Sequence, residues 1–450
     1  MSIEATFRSR HSGSANRYRQ AVERFPSGVT HDGRYSQPFP LFVERSAGAH
    51  KWDVDGNELI DYWNGHGALL LGHGHPAVVA AVQQQMARGV HYGAEHDLTL
   101  RWAELIQQLF PGIERLRFTA SGTEATMLAL RLARSYTKRP TVVRFQAHFH
   151  GWNDALTHGM DVDLDPPPGL LSAITEATLV VPTDLEVVDD VLSKRDDIAA
   201  VILEPSGASY GMAPLPDRFL QQLRKITLDR NVLLICDEVV TGFRVTPGGV
   251  QRRAGITADL TTLAKILAGG LPGGAVGGRE EIMRHLAFGD AEWNRFNKIR
   301  HNGTFNANPL SAAAGVATLE RIATGEPNRR AAELGTRLVD EFNAVLRERD
   351  LRGWAAYGDG SIFHLLIGSS NPFAPGELAA DVSTAELKRG GDPRLLQALR
   401  LGLNNYGVDL MRGHSGFLSA AHTDADITAT INAFRATLDD MEAEGLLGKR

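Results

Sequence analysis

Between about residue 100 and residue 280, short apolar runs alternate with longer stretches of helical periodicity. The runs are LRF (116–118), TVVRF (141–145), TLVV (178–181), AAVILEP (199–205), VLLICDEVV (232–240) and AVGG (275–278). Runs rich in Val, Ile and Leu, without polar alternation, suit strands buried on both faces, as in a parallel sheet covered by helices. Such alternation predicts an α/β domain. Past residue 320 the pattern changes. Leu334, Leu338, Phe342 and Val345 recur at helical spacing, as do Ile427, Ile431, Phe434, Leu438 and Met441 behind a candidate cap, Thr423. Residues 369–393 between them are polar and loop-like, so the end of the chain predicts an α+β domain. The expected division is a segment 1–75, a large domain 76–320 and a small domain 321–450. The stretch DVDLDPPPG (161–169) can continue neither a helix nor a central strand, which predicts a surface loop over 151–175.

Composition narrows the class. The 450 residues are 43% hydrophobic and 22% charged, ordinary for a globular chain, and the net charge of −6 argues against a nucleic-acid surface. No apolar run is long enough for a membrane helix, and the first twenty residues lack the apolar core of a signal peptide. A single cysteine, Cys236, excludes internal disulfides. These features lead to the expectation of a cytoplasmic protein with neither a nucleic-acid nor a membrane partner. Cys236 lies within NVLLICDEVV and reads as a packing residue.

Three places could carry chemistry. In RFTASGTEATMLALRLAR, a strand ends near Phe118 and Ser121-Gly122-Thr123 turns into a helix from about Glu124. Free N–H groups at a helix start bind phosphate, although the same residues also make an ordinary cap. Asp237 ends an otherwise apolar strand. A carboxylate there needs a cation or hydrogen bonds, which turn N–H groups could also supply, but the carboxyl ends of strands are where α/β sheets bind ligands. Lys265 follows 28 residues later, between LTTLA and ILAGG. Desolvation would lower its pKa and make it a nucleophile towards carbonyls, whereas an amphipathic helix would let it snorkel to solvent. The glycines after it do not form a dinucleotide fingerprint. Phosphate cradle, buried acid and lysine, in that order, suit one ligand: pyridoxal 5′-phosphate, which needs its phosphate held, its ring nitrogen kept protonated and its aldehyde linked to an amine.

The stretches SGTEATMLALRLAR, HFHGW, ILEP, LLICDEVVTGFRV, DLTTLAKILAGGLPGGAVGGR, NGTFNANP and GFLSAAHTDADI occur in this order. With them the chain resembles, over residues 25–440, the class III, fold-type I pyridoxal-phosphate aminotransferases, in the branch that includes glutamate-1-semialdehyde aminomutase. The resemblance implies a mostly parallel seven-stranded sheet with helices on both faces. It adds a smaller α+β domain built from the N- and C-terminal segments. It makes Lys265 the Schiff-base lysine and Asp237 the partner of the pyridine nitrogen. Ser121, Gly122 and Thr123 would hold the phosphate, and Thr304 would reach the phosphate of a neighbouring subunit in a homodimer with shared active sites. Phe149 stands where the family usually stacks a tyrosine on the ring, and Val239 would pack on the other face. His150 and Glu204 complete the implied cofactor set, and Ala120 stands where asparagine is common. No metal is implied.

On the substrate side, Arg34 matches the arginine that holds the substrate carboxylate in aminomutases, and Arg412 lies where related aminotransferases bring a second carboxylate binder. Two departures weigh against a mutase: His66 replaces a tryptophan and His414 a glutamate. Several stretches look nearest to D-phenylglycine aminotransferase of the same branch. The expected activity is therefore ping-pong transamination between an amino acid, of aromatic, D- or β-type, and an oxo acid such as 2-oxoglutarate. The alternative is intramolecular transfer of the aminomutase type.

Overall fold

The computed structural model describes residues 1–447, which form two compact units. The larger is Pro76–Asn328; the second joins Met1–His75 to the chain from Arg329 onward.

The larger unit is built on a sheet of seven strands: β1 (Arg115–Thr119), β2 (Thr141–Phe145), β3 (Thr178–Val181), β4 (Ile198–Leu203), β5 (Leu233–Asp237), β6 (Leu260–Ala264) and β7 (Gly274–Gly278), in the order β1-β7-β6-β5-β4-β2-β3. From β6 to β3 every pair is parallel; β7 runs antiparallel to both β6 and β1. Pleating explains why β2, β4 and β5, covered on both faces, carry no polar residue at every second place. In β4, Ala200 and Ile202 pack towards Leu128, Ala129 and Leu132 of α1 (Gly122–Thr137). Val201 and Leu203 pack the opposite way, against Val188 and Leu192 of α2 (Leu185–Lys194) and Phe219, Leu220 and Leu223 of α3 (Asp217–Asp229). Both faces are thus covered, as the apolar runs predict. Cys236 is buried in the second of these cores.

One strand escapes the sequence pattern. LTTLA is β6, whose two threonines break the apolar run although all five residues are buried. Its neighbour β7 depends on glycine, because a Cβ at Gly274 would stand 2.4 Å from the Ser121 carbonyl oxygen. Within the expected loop 151–175, residues 161–169 have neither helix nor strand, but short helices flank them at Asp154–Thr157 and Ser172–Glu176.

The second unit is α+β. A four-stranded sheet pairs Val43–Ala47, His50–Asp53 and Glu58–Asp61 with Val408–Asp409 from far along the chain. At that seam the buried Lys51 amine lies 2.8 Å from Asp61 and 2.7 Å from Asp409. Burial opposes its charge, but the two carboxylates more than compensate and raise its pKa. A three-stranded sheet (Ala355–Asp359, Ile362–Leu366, Ser415–Phe417) packs with helices Glu326–Glu348 and Asp424–Ala443. Thr423 caps the last helix in a reciprocal box with Asp426. Among the described residues no helix is long and apolar enough to cross a membrane.

Candidate active site

Strand parity aims Asp237 at α1. Ile235 faces the core that contains α1 and Cys236 the opposite one, so Asp237, two residues past Ile235, lies on the α1 side at the carboxyl end of β5. Its register partner on β6, Thr262, donates its hydroxyl to Asp237 Oδ1 (3.1 Å), as does the Val239 N–H (3.1 Å). His150 Nδ1 lies 2.7 Å from Oδ2. Burial, helped by the charge of Arg144, holds His150 well below the usual imidazole range. It is therefore neutral, and the network assigns its proton to Nδ1, donating to Asp237. Its Nε2 is buried and has no partner among the described residues. Burial pushes Asp237 itself up to about 6, against the pull of the Val239 and Thr262 hydrogen bonds and the Lys265 charge.

Lys265 follows directly on β6, with its backbone in the left-handed region (φ 54°). A non-glycine residue held there stores roughly 1–3 kcal/mol, a feature that clusters at functional sites. Burial pulls its amine below the usual lysine value, against the raising charges of Asp237 and Glu204. Buried Arg244, itself brought down to about 9 by burial, adds a lowering push.

The start of α1 closes the group. Ser121 Oγ accepts the Glu124 N–H at 3.2 Å, so the capping reading is correct. It does not exhaust the helix end, because the N–H groups of Gly122 and Thr123 find no acceptor among the described residues. A Cβ at Gly122 would lie 3.0 Å from both Val239 methyls and 3.4 Å from Ala264, the residue before Lys265. Helix start, Val239 and the residue before Lys265 thus meet at contact distance.

Glu204, just beyond β4, lies in the same neighbourhood. Its Oε1 accepts the N–H groups of Phe149 (2.6 Å) and Ser209 (2.7 Å), and its Oε2 that of Tyr210 (2.8 Å). Burial pushes it up to about 7, against those hydrogen bonds and with Asp237 adding to the rise. Phe149 is 49% exposed. Thr304 is on an exposed turn, its carbonyl 2.5 Å from His91 Nε2. No hydrogen bond among the described residues joins it to the cluster around Asp237.

The four substrate-side candidates all lie in the second unit, linked to one another. The His66 ring is 5.1 Å from those of His31 and Trp63, on a turn whose residues Asn64 to Gly67 all have positive φ. Arg34 donates to Thr30 Oγ1 (2.8 Å), and a Cβ on the adjacent Gly33 would stand 3.8 Å from Arg412 Nη2. His414 Nδ1 is 3.1 Å from the Arg412 carbonyl, its Nε2 is buried without a partner among the described residues, and burial lowers it to about 4.

The family model for class-III aminotransferases matches residues 32–355. The chain belongs to the class-III aminotransferase family. Class-III relatives include a glutamate-1-semialdehyde 2,1-aminomutase of Hyperthermus butylicus, 37% identical over 433 residues, covering 94% of this chain and 97% of that one. Similar solved structures include a glutamate-1-semialdehyde aminomutase from Pseudomonas aeruginosa (TM-score 0.84, 26% identity, 98% and 97% of the two chains). Another is a transaminase with pyridoxal phosphate bound (TM-score 0.85, 30% identity, 97% and 99%). The fold type expected from the sequence is therefore correct. The cofactor of this class-III enzyme is pyridoxal 5′-phosphate, and the site fits it: two unpartnered N–H groups on a sixteen-residue helix, a buried acid and a desolvated lysine.

The expected reaction is not correct. Transfer between two molecules is overturned by relatives at 34–42% identity that are glutamate-1-semialdehyde 2,1-aminomutases. The substitutions at His66 and His414 misled because two changed positions weigh less than a likeness that covers 94% of the chain. Thr262, Arg144 and Arg244 were missed by sequence reasoning. Only strand register reveals Thr262, and the two arginines look like ordinary surface cations until their burial is seen.

Proposed function

We propose that the chain is an aminomutase of the glutamate-1-semialdehyde type, exchanging an amine and a carbonyl oxygen between adjacent carbons of one molecule. The substrate, 4-amino-5-oxopentanoate, becomes 5-amino-4-oxopentanoate with no atom gained or lost. The observation that carries this reading is similarity over 94% of the chain to proteins of that activity. When bound, pyridoxal phosphate supplies an aldehyde that captures amines and a protonated ring that accepts the electron pair left on carbon.

The residues divide the remaining work. Lys265 is the amine that holds the cofactor. Once released, and left unprotonated because burial lowers its pKa, it takes the proton from the substrate carbon bearing nitrogen and returns one nearby. Asp237 keeps the ring nitrogen protonated, with His150 and Thr262 fixing its oxygens. Ser121, Gly122 and Thr123 hold the phosphate, and Phe149 and Val239 flank the ring. Thr304 reaches the phosphate of the other subunit in a homodimer. Arg34 holds the substrate carboxylate in a planar fork, with Arg412 as a second cation. His414, neutral in its buried setting, offers hydrogen bonds rather than charge to the oxo end, and His66 adds a second imidazole there. The test is purified, cofactor-loaded protein given 4-amino-5-oxopentanoate alone. Many turnovers to the 5-amino isomer are expected, followed by NMR; consumption only when an external oxo acid is added would refute the reading.

A further inference from the structure

Glu204 grips two loops at once. Its carboxylate takes one N–H from Phe149 and two from Ser209 and Tyr210, while its own N–H donates to His148 Nδ1 (2.9 Å). Ser209 (φ 50°) and Tyr210 (φ 51°) are both left-handed, between Gly207 (φ 100°) and Gly211 (φ 92°). Side chains other than glycine rarely adopt that conformation, and here it aims two successive N–H groups at one carboxylate, a backbone anion nest. The third N–H belongs to the residue beside His150, which reaches Asp237. We propose that Glu204 is a positioning residue for this reaction. By clamping the main chain at Phe149 it fixes the segment that presents Phe149 to the cofactor and His150 to Asp237, and in its ionised form it favours a proton on the Lys265 nitrogen. The inference rests on the assignment of Lys265 and Asp237 above.

The charges facing Lys265 are Asp237 and Glu204, which favour its proton, and Arg244, which opposes it; Arg144 and Asp237 act in turn on Glu204. Glu204→Gln keeps the shape but removes the charge, and its amide NH2 would face an N–H. Glu204→Asp keeps the charge but is too short to reach all three donors.

The experiment compares cofactor-loaded wild type with both variants in two readouts. One is hydrogen exchange in peptides covering residues 147–151 and 206–212; the other is the pH midpoint of the visible absorbance of the cofactor. For Glu204→Gln we expect about tenfold faster exchange in both peptides and a midpoint lower by about one pH unit, the size of one charge lost nearby. For Glu204→Asp we expect faster exchange with a midpoint near wild type. Wild-type exchange and midpoint in Glu204→Gln would overturn the proposal; should that variant not fold, wild-type exchange in Glu204→Asp would do so. Borohydride trapping of the same samples separates the two claims. A label away from Lys265 fells the site assignment, and the proposal with it, whereas a label on Lys265 with unmoved readouts fells the proposal alone.

Discussion

Replacing Asp237 by asparagine should stabilise the cofactor-free enzyme while destroying its chemistry. Burial raises the carboxyl from 3.8 to about 6. A folded-state pKa above the unfolded value means that Asp237 favours folding only while protonated. Its contribution is intact below pH 3.8 and is lost as pH rises through about 6. The difference of about two pH units corresponds to about 3 kcal/mol of unfavourable ionisation at pH 8. Asparagine removes that charge. Its oxygen keeps the donors from Val239 and Thr262, and His150 can adopt its other tautomer to accept from the new amide. Exchanging charged for neutral hydrogen bonds gives back about 1 kcal/mol, leaving a net gain of about 2 kcal/mol at pH 8. The assay is denaturant unfolding of both proteins after cofactor removal, across pH 5 to 8. The gap should widen in favour of the variant by about 1.5 kcal/mol over that range. With cofactor bound the order should invert, because the protonated ring nitrogen supplies the cation that the buried acid lacks. A gap independent of pH, or a cofactor-free variant less stable than wild type at pH 8, would refute the reasoning.

Gly122→Ala places a methyl 3.0 Å from both Val239 methyls, which the helix start must yield to by a few tenths of an ångström. The dissociation constant for pyridoxal phosphate should rise about tenfold, about 1.4 kcal/mol, measurable by fluorescence titration. An unchanged constant would mean that this end of α1 does not meet the phosphate. Lys51→Ala leaves Asp61 and Asp409 facing each other without their cation, which should cost about 3–5 kcal/mol in thermal or urea unfolding. A loss below about 1 kcal/mol would show that water replaces the amine.

The sheet was readable where strands are buried on both faces, because β2, β4 and β5 need no polar alternation and are spelled in Val, Ile and Leu. It was not readable at β6. Thr261 and Thr262 look polar in sequence but are buried, Thr262 with its hydroxyl on Asp237. The helix start after Ser121 could be read from its capping residues, yet cap and phosphate cradle are written with the same letters. The N–H groups of Gly122 and Thr123, which find no acceptor among the described residues, are what leaves the second reading open. Glu204 could be placed only by its membership of a motif, because its three donors come from loops 55 and five to six residues away. Mutase and transferase could not be told apart from His66 and His414, two changed positions set against a likeness that covers 94% of the chain.

The whole account rests on one nitrogen. The direct measurement is borohydride reduction of the cofactor-loaded native chain, proteolysis and mass mapping of the modified peptide. The account predicts the pyridoxyl mass on Lys265 and on no other lysine. A modified residue elsewhere, or a reduced protein that carries no such adduct, would contradict it.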